Sequence, residues 1–249
     1  MKIIRVKDDR EMSKQAARRI IEQVRQNPES TLGLATGGTP EGTYKELIKD
    51  YQENQTSYKQ IRTFNLDEYV GLAPDDPNSY HFYMNQNLFD HIDIPSENIH
   101  LPNGLAEDLE AECQRYDDLI AELDGIDLQI LGIGENGHIG FNEPGTSFQS
   151  HTHVETLTES TREANARYFE SLRDVPTHAL TMGISTILLS REILLMASGE
   201  HKAEAIYKLF YEDVDEQMPA SILKTHDNVT LIADEQALSR MEEASRESM

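Results

Sequence analysis

The sequence predicts an α/β protein, a doubly wound, mostly parallel sheet with helices on both faces. Two observations carry this. Strand-like apolar runs alternate with segments of helical apolar spacing along most of the 249 residues, a pattern that builds strand–helix–strand units rather than hairpins. Glycine-rich stretches directly follow several of these runs, where an open parallel sheet places its ligands. The architecture expected is Rossmann-like, one domain over residues 1–249.

The strand-like runs are KIIRV (2–6), TLGLAT (31–36), RTFNL (62–66), IDLQIL (126–131), THVETL (152–157), HALTMG (178–183), EILLMAS (192–198) and NVTLIAD (228–234). Between the first two, Met12, Ala16, Ala17, Ile20, Ile21 and Val24 share one helical face, with Asp8–Asp9 placed to cap it. Tyr44, Leu47, Ile48 and Tyr51 mark a second helix, opened after Pro40 with Thr39 as its N-cap. Residues 79–90, 107–123, 160–172 and 201–210 have helical spacing too.

Composition narrows the function. Twenty-two basic against 45 acidic residues leave a formal charge of −23, a field that repels nucleic acid and anionic membranes. The simple account of that acidity is solubility. No apolar run approaches the roughly 18 residues of a membrane span, and MKIIRVKDDREM lacks the apolar core of a secretory signal. The single cysteine, Cys113, has no partner for an internal disulfide. A cytoplasmic protein is expected.

Three loops carry candidate chemistry. In LATGGTPEGTYKEL, Thr36, Gly37, Gly38 and Thr39 join a strand to a helix start, where free N–H groups and the helix dipole favour an anion such as phosphate. An ordinary strand-to-helix turn is the alternative, and without GK[ST] it is no nucleotide P-loop. In TFNLDEYVGL, Asp67 and Glu68 follow a strand, and adjacent side chains point to opposite sides. One carboxylate therefore faces the cleft, where crowding and burial suit a base for a carbon-bound proton; a cap with a solvated neighbour fits equally. In GIGENGHIGFNEP, Gly132, Gly134 and Gly137 spell the dinucleotide pattern, but HIGFNEPG cannot open the helix that pattern requires. Two readings of His138 remain, a displayed ring or a turn histidine. Glu143 has the spacing of an orienting carboxylate. There is neither HExxH nor CxxC for a metal and no GxSxG nucleophile.

Together TGGTP, FNLDEYVGL and GHIGFNEP closely resemble the glucosamine-6-phosphate deaminase (isomerase) family, in order and spacing, from first strand to last. The resemblance implies conversion of D-glucosamine 6-phosphate and water to fructose 6-phosphate and ammonia, with no cofactor and no metal. It implies ring opening by His138, oriented by Glu143, with Asn136 beside it where many relatives have Asp. Asp67 resembles the base that moves a proton from C2 to C1. Phosphate anchoring carries over to Thr36–Thr39, Arg167 and Lys202, and residues 152–180 resemble a mobile lid carrying Arg167. Regulated relatives bind the activator N-acetylglucosamine 6-phosphate through basic residues; His153 and Glu155 stand there instead, so that regulation is not expected. The rivals are a 6-phosphogluconolactonase, which needs no carbon base after FNL, and a sugar-phosphate-sensing regulator, for which no basic DNA-binding segment is visible.

Overall fold

A computed structural model describes residues 1–247. The strands are β1 (Lys2–Val6), β2 (Thr31–Leu34), β3 (Arg62–Asn65), β4 (Asp67–Tyr69), β5 (Ile99–His100), β6 (Leu128–Gly132), β7 (His153–Thr156), β8 (His178–Thr181), β9 (Ile193–Ala197) and β10 (Val229–Asp234). The helices are α1 (Asp9–Gln26), α2 (Gly38–Asn54), α3 (Tyr80–Asn87), α4 (Leu109–Glu122), α5 (Glu159–Asn165), α6 (Ile184–Leu188), α7 (Ala203–Tyr211) and α8 (Ser239–Glu247).

Seven strands form a sheet in the order β1-β10-β9-β6-β2-β3-β5, every neighbouring pair parallel. Along β9, Leu194 and Met196 pack with α1, α2 and α3 on one face, through Met12, Ile20, Tyr44, Leu47 and Met84. Ile193, Leu195 and Ala197 pack on the other with Tyr116 and Ile120 of α4, Ile187 of α6 and Ile206 and Leu209 of α7. Both faces are covered, which is why the central strands read as unbroken apolar runs. From β2 the chain moves outward to β3 and β5; from β6 it moves the other way, to β9 and β10. The direction reverses between the adjacent strands β2 and β6, and an open α/β sheet has its ligand crevice at such a reversal.

Caps account for the helix starts. Asp8 accepts from the Glu11 N–H at 2.9 Å to open α1, Ser79 caps α3 and Asp108 caps α4. The second helix corrects the expectation for Thr39. Gly37, at φ 97°, is the N-cap and offers no side chain, so Thr39 and Pro40 already lie in the first turn of α2. A positive φ suits glycine, and it turns the chain two residues earlier than the threonine would have.

The runs THVETL and HALTMG are strands but lie outside the parallel sheet. They form β7 and β8, which pair antiparallel, with β4 on the far side of β8. No residue of β7 is fully buried, unlike those of a strand covered on both faces. The RTFNL run breaks at Leu66, and β4 carries Asp67 into this second sheet. The helical spacing of 160–172 yields only α5 and two short 3-10 turns, Ala166–Tyr168 and Leu172–Asp174.

Candidate active site

A cavity of about 390 Å³ opens beyond the carboxyl ends of β2, β6 and β9. Thr36, Gly37, Gly38, Thr39, Asp67, Asn136, His138, Arg167 and Lys202 all line it; Glu143 stands behind Asn136. Thus the residues the sequence assigned to catalysis and phosphate binding gather around one cavity. At one side, α2 begins with no side-chain cap, which leaves first-turn N–H groups for an anion. Burial lowers the Lys202 ammonium pKa; Glu135 raises it and the nearby Arg167 lowers it. Arg167 itself lies over the Tyr168 ring at 4.8 Å. Two cations crowded into a cavity of a chain carrying −23 favour an anionic occupant.

The two carboxylates after β3 have separate fates. Glu68 is buried, and its oxygens accept from the N–H groups of Tyr69 (2.8 Å), Tyr80 (3.0 Å) and His81 (3.0 Å) and contact the His81 ring at 2.7 Å. It serves the start of α3. Asp67 faces the cavity, and burial, reinforced by the neighbouring Glu68 charge, pushes its pKa up to about 8. A carboxyl so destabilised as an anion is a strong base once deprotonated.

The imidazole of His138 is displayed because the loop makes room for it. A Cβ at Gly134 would lie 2.3 Å from the ring atoms Cε1 and Nδ1, so only glycine fits there. Nδ1 contacts Asn136 Oδ1 at 2.7 Å, and the same oxygen accepts from the His138 backbone N–H at 3.1 Å. Asn136 Nδ2 donates to Glu143 Oε2 at 3.1 Å, which fixes the amide orientation, since a carboxylate can only accept. Nδ1 therefore carries the proton and Nε2 holds a lone pair. Burial lowers the His138 pKa, opposed by Glu143 and aided by Lys202, so the ring is neutral at pH 7. Glu143 reaches the ring at one remove. Its nearest oxygen is 3.9 Å from Nδ1, and Asn136 bridges the gap.

Sequence reasoning missed four residues here. Tyr80 and Phe141 line the cavity with rings stacked at 6.1 Å and 8°. Thr158 and Thr161 reach Glu143 from α5; a threonine three residues before another at a helix start was their only signal. A larger hollow of about 630 Å³ lies elsewhere, between α4, β7 and α6, lined by Cys113, Asp117 and His153 among others. It has no lysine or arginine and adjoins no carboxyl end of the parallel strands, so the chemistry belongs to the smaller cavity.

A reversal-point crevice holding a helix-start anion cradle, two cations, a raised carboxyl and a neutral imidazole defines an enzyme of small phosphorylated substrates. Residues 7–232 match the family described as glucosamine-6-phosphate isomerases/6-phosphogluconolactonase, and the chain belongs to that family. It is 59% identical over 246 residues to a glucosamine-6-phosphate deaminase of Geobacillus sp. (strain WCH70), covering 99% of this chain and 98% of that one. A solved structure described as a monomeric glucosamine-6-phosphate deaminase superposes with a TM-score of 0.95 at 55% identity, covering 96% of this chain and all of the other. A 6-phosphogluconolactonase from Trypanosoma cruzi shares the fold at 20% identity, with a TM-score of 0.79 and 96% of each chain covered. Among the described residues no helix is long and apolar enough to cross a membrane.

Proposed function

We propose that this chain is a glucosamine-6-phosphate deaminase, converting D-glucosamine 6-phosphate and water to D-fructose 6-phosphate and ammonia. The observation that carries the reading is the pairing of Asp67, whose pKa is pushed up to about 8, with a neutral His138 on one cavity. The reaction needs two proton-transfer agents, and lactone hydrolysis has no use for a carbon base.

The phosphate sits on the Thr36–Thr39 turn, Arg167 and Lys202. Nε2 of His138 takes the anomeric hydroxyl proton and returns it to the ring oxygen, opening the pyranose. Asp67 then removes the proton on C2 and delivers it to C1, so that the enolamine becomes a ketimine at C2. Water adds there and ammonia leaves. The substrate's own nitrogen accommodates the electron pair in these steps. Residues 152–180, which carry α5 and Arg167, act as a lid over the cavity. The lone, buried Cys113 suits a reducing cytoplasm.

Ammonia release from glucosamine 6-phosphate, followed beside 6-phosphogluconolactone hydrolysis, tests the proposal. Ammonia without lactonase activity is expected, and the reverse result overturns it.

A further inference from the structure

Glu143 is 4% exposed, and its two oxygens are divided between two parts of the chain. Oε2 accepts from Asn136. Oε1 faces the first turn of α5, where it accepts from the Thr161 hydroxyl in a close contact and lies 3.2 Å from that of Thr158. Thr158 caps α5 by accepting from the Thr161 N–H at 3.2 Å, and its own proton is shared among Oε1, Thr161 Oγ1 at 3.0 Å and Ser160 Oγ at 3.1 Å. Thr161, itself buried, is therefore the principal donor.

We infer that Thr161, supported by Thr158, is a positioning residue for ring opening: its hydroxyl holds Glu143 and, through Asn136, the tautomer and aim of His138. This rests on the deaminase reading. Arg167 lies six residues beyond Thr161 on α5 and the 3-10 turn that extends it, roughly 10 Å away at helical rise. One end of the segment thus holds the imidazole's support and the other a phosphate cation. The segment that brings Arg167 to the cavity is the one that brings Thr161 to Glu143. Without the hydroxyl, a buried carboxylate oxygen loses its principal donor, and Glu143 no longer holds the Asn136 amide in place.

Thr161→Val removes the hydroxyl at nearly constant volume; Thr161→Ser keeps it. The measurements are kcat and KM for glucosamine 6-phosphate and the affinity for the reduced amino-alditol 6-phosphate, which is permanently open-chain. The valine variant should lose roughly 10- to 100-fold in kcat, the size of one donor removed from a buried charge. Its alditol affinity should stay at the wild-type value, which also reports a folded site. The serine variant should recover most of the rate. A wild-type kcat in the valine variant, equal losses in both variants, or alditol affinity falling in step with kcat each overturns the positioning role. Absence of ammonia release by the unaltered protein would overturn the deaminase reading instead.

Discussion

Asp67→Asn separates the two roles that burial assigns to this carboxyl. An unfolded Asp ionises near pH 3.8, whereas the folded chain holds the proton until about 8. Between those values the native state binds more protons than the unfolded state, so stability falls as pH rises, by up to about 1.4 kcal/mol per unit. Summed to pH 7, some three units, ionisation of Asp67 costs the fold up to roughly 4 kcal/mol. Asn is close in shape and carries no charge. The variant should match the wild type near pH 4, gain on it steadily above, and level off once pH passes 8. Because the chain has no tryptophan, urea unfolding followed by far-ultraviolet circular dichroism at several pH values is the assay. The difference between the two stability curves isolates this group. Turnover should fall by roughly 10²–10⁴-fold, as for loss of a positioned base, with substrate binding retained. Parallel stability curves would show that Asp67 is not desolvated, and near-normal turnover would remove it from the chemistry.

Glu68→Gln withdraws the negative charge beside Asp67, so the acid limb of kcat/KM should shift to lower pH; an unmoved limb would mean that burial alone sets the Asp67 pKa. His138→Gln should reduce turnover of the cyclic substrate by roughly 10²–10⁴-fold while affinity for the open-chain alditol phosphate persists, and joint loss of both would point to a structural role. Lys202→Ala should raise KM by roughly 10–150-fold with kcat comparatively level, since its phosphate contact is made equally in ground and transition states; an unchanged KM would require the phosphate cradle to be redrawn. Rate should depend hyperbolically on substrate and ignore N-acetylglucosamine 6-phosphate, because His153 is engaged with Glu155 at 3.1 Å where regulated relatives carry basic residues. A sigmoid relieved by that compound would refute this.

Much of the protein was legible because its determinants are local. Apolar runs on strands covered on both faces, Asp8 before a helical stripe, and glycines beside His138 are patterns within a dozen residues. They defined the parallel sheet and the loops on which ligands bind. The allocation of partners was not local. Whether Asp67 or Glu68 faced the cavity depended on the amides of Tyr80 and His81 reaching Glu68. That β8, with β7 beside it, left the main sheet depended on β4 offering β8 an edge. Glu143 could be paired with His138 by spacing, yet the contact passes through Asn136, and Thr161 supports it from eighteen residues along the chain. Sequence spacing specifies what one segment can become. A hydrogen bond in a buried site depends on where two folded segments come to rest, and only the packed molecule decides that.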